Sequence, residues 1–233
     1  MWTTSRRRHL VVAGVGLGLV VICGLIARNG RVGGAERHVF RAINDLPAWL
    51  YRPLWVFQQF GNLFVALGIG VTIALILRRW WVAAAVVGAV GLKLAGERAV
   101  KQVVARSRPG TTVGAIHARG NVPLHGLSFV SGHSVIVTAV ATLLTPVLRG
   151  NWKLVPWVFV VLNGVARVYV GAHNPLDVIG GAGLGLLIGG ILNVFVAPVD
   201  ERPRVARNIG GRGSDRGAVS VGAVALPTRQ RPA

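Results

Sequence analysis

The chain has 233 residues, of which 52% are hydrophobic and only 14% are charged. Soluble domains usually carry about 25% charged residues, so this composition excludes an ordinary soluble protein and indicates an integral membrane protein. A formal net charge of +19 would favour nucleic acid as the partner of a soluble protein, but here many basic residues lie between and beside apolar segments. We therefore expect membrane phospholipid and an anionic substrate as partners, and no nucleic acid.

Six apolar segments predict an all-α integral membrane domain, built as a bundle of six transmembrane helices. The first segment follows Arg6, Arg7 and Arg8 and is longer than a usual signal-peptide core, so we favour an uncleaved anchor over a signal peptide. Residues 33–50 carry apolar side chains at helical spacing and predict a short interfacial helix. The predicted spans are 10–27, 53–77, 80–96, 133–148, 154–170 and 177–199.

Six spans place both chain termini on one side of the membrane. The basic clusters at Arg6 to Arg8 and at Arg78 and Arg79 favour the cytoplasm for that side. The connection 97–131 and the junction between the fifth and sixth spans then lie outside. We expect a multi-pass protein of the bacterial cytoplasmic membrane.

The last predicted span and the residues after it differ in character. Gly181, Gly185 and Gly189 recur every four positions, a spacing that predicts close helix packing. Residues 200–233 are rich in Pro, Gly, Arg and Ser, and predict a basic disordered cytoplasmic tail. This tail either contacts anionic lipids or is simply solvated. Residues 1–199 form the remaining domain.

The junction between the fifth and sixth spans carries Arg167, His173 and Asp177 within eleven positions. Ionisable groups are costly at membrane depth, so such a cluster indicates a binding or catalytic site. Asn174 and Pro175 predict the start of a helix, with Asp177 in its first turn and His173 just before it. Asp177 could then orient a ring nitrogen of His173. Alternatively, Asp177 only caps the helix and His173 is an interfacial histidine.

Two further stretches lie on the same predicted side as His173. Lys101 and Arg108 are seven positions apart, which would place them on one helical face where they could converge on an anion. Ser131 and Gly132 lie where the fourth span begins, and a helix start offers free N–H groups and a positive dipole to phosphate. His133 would stand beside that anion. Taken singly, each stretch equally fits lipid-headgroup contacts or an ordinary helix cap.

Together and in this order, the three stretches resemble the type-2 phosphatidic-acid phosphatase family of integral lipid phosphatases, which shares its site with the vanadium haloperoxidases. The family pattern reads Lys, six residues, Arg-Pro; then Pro-Ser-Gly-His; then Ser-Arg, five residues, His, three residues, Asp. The matches run from Lys101 to Asp177. Val130 stands where the pattern has Pro, and Ala166 stands where it has Ser.

The resemblance implies a lipid phosphatase that needs no metal or cofactor and has its active site at the outer membrane surface. It implies that His173 attacks phosphorus and forms a phosphohistidine, that Asp177 orients His173, and that His133 protonates the leaving group. The implied phosphate-binding residues are Lys101, Arg108, Arg167, Ser131 and Gly132. The candidate substrates are membrane lipid phosphates or pyrophosphates: polyprenyl diphosphate, phosphatidate or phosphatidylglycerophosphate.

Three other functions remain open at this point. A phosphotransferase would use the same phosphohistidine and pass the phosphate to a lipid or sugar acceptor. A metal site would use His133, His173 and Asp177 as ligands, although the three nearby cations would repel a divalent ion. A transporter, channel or lipid-binding scaffold would account for Lys93 within the third span and for the many helix glycines.

Overall fold

A computed structural model of the chain describes residues 4–196, which form α-helices and two short 3-10 helices and contain no β-strand. The basic tail predicted for 200–233 lies outside the described residues, as does the end of the sixth predicted span. The α-helices are α1 (Thr4–Ala27), α2 (Gly34–Asn44), α3 (Tyr51–Gln59), α4 (Leu63–Ile76), α5 (Trp80–Val104), α6 (Pro109–Thr112), α7 (Gly132–Leu144), α8 (Val155–Tyr169) and α9 (Pro175–Val196).

Within the described part of the chain, three helices are long and apolar enough to cross a membrane. They are α1, α5 and α9, and α3 with α4 supply a fourth crossing if the bent pair is counted as one span. Residues 4–196 are thus all-helical, and the protein is a multi-pass membrane protein. Helices α7 and α8 have only 13 and 15 residues, shorter than the roughly 20 that a straight span needs. A count of six spans therefore stays a prediction.

The second predicted span, 53–77, is not one continuous helix. It divides into α3 and α4, which meet at an angle of 59°. Asn62 explains the break, because its side-chain oxygen accepts the N–H of Phe64 at 3.0 Å and so caps a new helix. The predicted span conceals this break, since the residues after Asn62 are again mostly apolar up to Leu77.

The third predicted span, 80–96, begins with helix α5 at Trp80, but the helix does not end at Gly96. Helix α5 continues for two more turns to Val104 and includes Glu97 and Lys101. The apolar pattern ends before Glu97, whereas the hydrogen bonding of the helix backbone continues. Ala105 then adopts a left-handed conformation with φ of 47° and ends the helix.

Helix α7 lies in the interior and is buried along almost its whole length. It packs against α9, α5, α8 and α4. The contact with α9 is close because a Cβ at Gly185 would lie 2.5 Å from the carbonyl oxygen of Val135, and one at Gly189 would lie 2.6 Å from the Cβ of Thr142. The predicted packing role of Gly181, Gly185 and Gly189 is confirmed.

The segment predicted as an interfacial helix over 33–50 forms α2 and a 3-10 turn, Ala48–Leu50. Phe40 and Asn44 of α2 are fully buried. The side chain of Asn44 donates to the carbonyl oxygen of Tyr169 at 2.9 Å, which attaches α2 to the end of α8. Helix α2 therefore packs on the part of the molecule that carries the junction between α8 and α9.

Candidate active site

His173 and Asp177 lie where α8 gives way to α9. Asp177 stands in the first turn of α9 and is fully buried, as the Asn-Pro start of that helix predicts. Its Oδ2 accepts the N–H of Asn174 at 2.8 Å and faces Nδ1 of His173 at 3.7 Å. The carboxylate thus caps α9 and also faces the imidazole. Capping the helix and orienting His173, which the sequence left as alternatives, are therefore compatible.

His173 is 3% exposed, and its surroundings keep the ring neutral. Burial, followed by the charges of Arg167, Arg108 and Lys101, holds the pKa of His173 well below its usual value. With Nδ1 turned towards Asp177, the proton belongs on Nδ1 and the lone pair on Nε2. A neutral imidazole with a free Nε2 can act as a nucleophile.

Lys101, Arg108 and Arg167 all lie within electrostatic range of His173. Each arginine is held by a hydrogen bond: Nη1 of Arg108 donates to the carbonyl oxygen of Ala172 at 2.9 Å, and Nη1 of Arg167 donates to Oε1 of Gln58 at 3.0 Å. The Nε atoms of both arginines are buried without a hydrogen-bond partner among residues 4–196. Each arginine is anchored and still has a donor to offer an anion.

The expectation that Lys101 and Arg108 share one helical face is wrong. Helix α5 ends at Val104, and Arg108 is instead the residue that caps the short helix α6. The chain turns between the two residues, so both approach His173 from different segments. Helical periodicity cannot describe a pair that is separated by a helix end.

Ser131, Gly132 and His133 begin α7, as predicted. The N–H of Ser131 is not free, however, because it donates to the backbone carbonyl oxygen of Asp177 at 2.9 Å. Of the two donors of Ser131, the hydroxyl, which is buried and has no partner among the described residues, remains for a ligand. The backbone bond fixes the start of α7 against the start of α9.

His133 completes the group. It is partly exposed and lies within electrostatic range of His173, Arg167 and Arg108. The structure therefore brings together all the charged residues predicted from the three stretches. The two departures from the family pattern, Val130 and Ala166, are fully buried in apolar clusters.

Glu97 is a site residue that sequence reasoning missed. Its carboxylate pairs with Lys101 at 2.6 Å through Oε1 and with Lys93 at 2.6 Å through Oε2. The same carboxylate lies against Gly132, since a Cβ there would be 2.5 Å from Oε2. The spacing of four residues predicts the ladder of charges along α5. Nothing local predicts that it meets the start of α7.

Arg106, Glu36 and Gln58 were also missed. Arg106 is fully buried and pairs with Glu36 at 2.6 Å and with Asp177 at 3.2 Å. Burial lowers the pKa of Arg106, but the two carboxylates raise it by more. The pKa therefore lies above the ordinary value for an arginine. A lone arginine two positions before Arg108 gives no local sign of these distant partners.

The alternative metal site does not assemble. Across residues 4–196, no three His, Cys, Asp or Glu side chains are placed to hold a metal ion. Asp177 is instead engaged by Arg106 and by the N–H of Asn174. The donors around His173 are those that suit an anion.

Comparison with known proteins gives the same picture of the fold. The crystal structure of LpxE from Aquifex aeolicus is 25% identical in sequence, with a TM-score of 0.60 over 66% of this chain and 92% of that chain. A PAP2-type phosphatidylglycerolphosphate phosphatase from Bacillus subtilis is 23% identical, with a TM-score of 0.61 over 78% of this chain and 95% of that one. No curated protein matches the sequence. The family model of the PAP2 superfamily matches residues 79–199, which include all three stretches of the site, and the chain therefore belongs to the PAP2 superfamily.

Proposed function

We propose that this protein is a metal-independent lipid phosphatase that hydrolyses a membrane lipid phosphate or pyrophosphate through a phosphohistidine. The observation that carries the proposal is the environment of His173: a buried neutral imidazole that faces the Asp177 carboxylate and lies within electrostatic range of three cations. A neutral imidazole suits nucleophilic attack, and cations suit a phosphate dianion.

In the first step, Nε2 of His173 attacks phosphorus in line with the leaving oxygen. The nitrogen–phosphorus bond forms and the bond from phosphorus to the leaving oxygen breaks. His133 gives its proton to that oxygen, so the product leaves as a lipid alcohol or a lipid monophosphate. The ring of His173 gains positive charge, which Asp177 stabilises through the Nδ1–H.

In the second step, water attacks the phosphohistidine. The water proton passes to His133, which is thereby restored as an acid, and the nitrogen–phosphorus bond breaks. Inorganic phosphate leaves and His173 returns to the neutral form. Lys101, Arg108, Arg167, the Ser131 hydroxyl and the Gly132 N–H hold the phosphate oxygens in both steps.

The substrate class rests on the membrane fold. Polyprenyl diphosphate, phosphatidate and phosphatidylglycerophosphate all present a terminal phosphate from a bilayer. The Bacillus neighbour carries phosphatidylglycerolphosphate in its name, which makes that lipid one candidate. A protein site shaped only for the phosphate accepts all three.

The same proposal covers the topology. Residues 1–199 form a six-span domain in the bacterial cytoplasmic membrane, the termini lie in the cytoplasm and the active site faces outside. The basic clusters at Arg6 to Arg8 and at Arg78 and Arg79 support this orientation. Residues 200–233 form a cytoplasmic tail whose arginines contact anionic lipids.

The first test is the substitution His173→Ala. Purified wild-type protein should release inorganic phosphate from at least one of the three lipids in the presence of EDTA. The variant should lose at least about 10³-fold in kcat, because the nucleophile is gone. Phosphate release is measured in detergent micelles, and lipid products are analysed to separate hydrolysis from transfer to another acceptor.

His38→Ala is the matched control, since His38 is an exposed histidine on α2. It should keep wild-type activity. Appreciable turnover by His173→Ala would rule out the phosphohistidine, and loss of wild-type activity in EDTA would rule out metal independence.

A further inference from the structure

Arg106 is the largest fully buried side chain among the described residues, and both terminal nitrogens of its guanidinium group are hydrogen-bonded. Nη1 donates to Oε1 of Glu36 at 2.9 Å, and Nη2 donates to Oε2 of Glu36 at 2.6 Å. Nη1 also donates to Oδ1 of Asp177 at 3.2 Å. This two-pronged pair with Glu36 fixes the plane of the guanidinium, and with it the direction in which Arg106 meets Asp177.

Glu36 belongs to α2, which precedes the region that the PAP2 family model matches. Its side chain is only 8% exposed. Oε1 also accepts the N–H of Leu176 at 3.0 Å, in the first turn of α9. Glu36 is therefore attached to the helix of Asp177 twice, once directly and once through Arg106.

The two carboxylate oxygens of Asp177 have different partners. Oδ1 meets Arg106, whereas Oδ2 accepts the N–H of Asn174 and faces Nδ1 of His173. A carboxylate held at Oδ1 cannot rotate freely about its side-chain bonds. The oxygen that the nucleophile needs is kept in place by contacts on the opposite oxygen.

The charges lead to the same conclusion. A single arginine beside Asp177 would neutralise the carboxylate, and a neutralised carboxylate stabilises a cationic ring poorly. Glu36 supplies a second carboxylate, so Arg106, Glu36 and Asp177 together carry one net negative charge. When the ring of His173 becomes positive as the nitrogen–phosphorus bond forms, that negative charge balances it.

We propose that Arg106 and Glu36 are positioning residues that hold Asp177 towards His173 and keep its negative charge effective in the formation of the phosphohistidine. The proposal rests on the proposed function. It assigns a part in the reaction to α2, a helix whose sequence indicates only an amphipathic surface segment.

The test is Glu36→Gln, which keeps the shape of the side chain and removes its charge. The variant should lower kcat by about tenfold and leave KM within about twofold, because Glu36 acts on the transition state and does not touch the substrate. Orthovanadate, which imitates the five-coordinate transition state on His173, should bind about tenfold more weakly. Inorganic phosphate should inhibit as it does the wild type.

Two further variants complete the experiment. Asp45→Asn removes a negative charge from the exposed end of α2 and should behave as the wild type. Glu36→Asp keeps the charge on a shorter side chain and should recover part of the lost kcat and of the orthovanadate affinity. It also gives the answer if Glu36→Gln does not fold, since its kcat and orthovanadate affinity should then fall together at unchanged KM.

The outcomes separate the two proposals. An active wild type with an unchanged Glu36→Gln variant overturns the positioning role alone. So does a variant in which kcat, phosphate affinity and melting temperature all fall together, since that pattern marks a purely structural contact. A wild type that hydrolyses no lipid phosphate overturns the proposed function, and the positioning role falls with it.

Discussion

Glu97 places a carboxylate beside groups that are expected to bind phosphate. It pairs with Lys101 and Lys93, and it lies against Gly132 at the start of α7. A phosphate dianion that approaches Lys101 meets this negative charge at close range, and like charges repel. If Lys101 binds phosphate as proposed, Glu97 competes with the substrate phosphate for Lys101.

Glu97→Gln should accordingly strengthen inhibition by inorganic phosphate by about threefold to tenfold, because one nearby negative charge is removed and Lys101 is released. The inhibition constant is measured against hydrolysis of the best lipid substrate. Asp45→Asn changes an exposed acid directly after α2; it serves as the control and should leave the constant unchanged. Weaker inhibition in Glu97→Gln would mean that the carboxylate positions Lys101 for the phosphate.

The lowered pKa of His173 leads to a second prediction at the scale of the residue. In the proposed mechanism His173 attacks only as the neutral imidazole, so kcat/KM should fall as the pH drops through the pKa of His173 in the free enzyme. Burial, and then the neighbouring cations, lower that pKa well below 6.5. The acidic limb of kcat/KM should therefore lie below pH 6.5, and at least about half of the plateau value should remain at pH 6.

The ionisation of the lipid phosphate itself contributes to this profile. It is measured separately by phosphorus NMR in the same micelles and divided out. An enzymatic limb centred at 6.5 or above would show that His173 is solvated like an ordinary histidine.

At the scale of the element, the active site depends on how closely α9 lies against α7. Helix α9 carries Asp177 and α7 carries Ser131, Gly132 and His133. Glycines on α9 allow the backbones to approach, and the Ser131 N–H then reaches the carbonyl oxygen of Asp177. The close packing of α7 and α9 therefore also brings the predicted site residues of the two helices together.

Gly185→Leu should separate the two helices, because even its Cβ would lie 2.5 Å from the carbonyl oxygen of Val135. We expect a loss of about 1–3 kcal/mol in stability and at least about a tenfold loss of kcat. Thermal unfolding in detergent and phosphate release are measured on the same sample. Gly88→Ala on α5 is the control, since a Cβ there meets nothing within 4 Å. A stable, fully active Gly185→Leu would contradict the close contact.

At the scale of the whole molecule, the proposal places the active site outside the cell and makes the tail dispensable for chemistry. Intact cells that express either the full chain or residues 1–199 should hydrolyse an added water-soluble short-chain lipid phosphate at rates within about twofold of each other. Cells that express His173→Ala provide the background. Hydrolysis only after the cells are permeabilised would reverse the orientation, and loss of activity in the truncated chain would give the tail a part in the site.

Local patterns in the sequence predict much of this protein. A long apolar run predicts a membrane helix, Asn174 and Pro175 predict the start of α9, and both patterns depend only on neighbouring residues. The order and spacing of the three charged stretches point to the family. Because Asn174 and Pro175 mark the start of α9, the position of Asp177 in the first helical turn could be predicted from the sequence.

The tertiary structure alone decided which distant groups meet. Arg106 and Glu36 are 70 positions apart, and Arg167 and Gln58 are 109 apart, so no period within a helix relates them. These contacts arise because a buried charge must find an opposite charge or a hydrogen-bond acceptor, and the packing of the helices determines which one is within reach. The sequence by itself determined the long apolar helices, the start of α9 and the charged groups of the three stretches. The packing decided that Arg106 links Glu36 to Asp177 and that Glu97 stands beside Lys101, a predicted phosphate-binding residue.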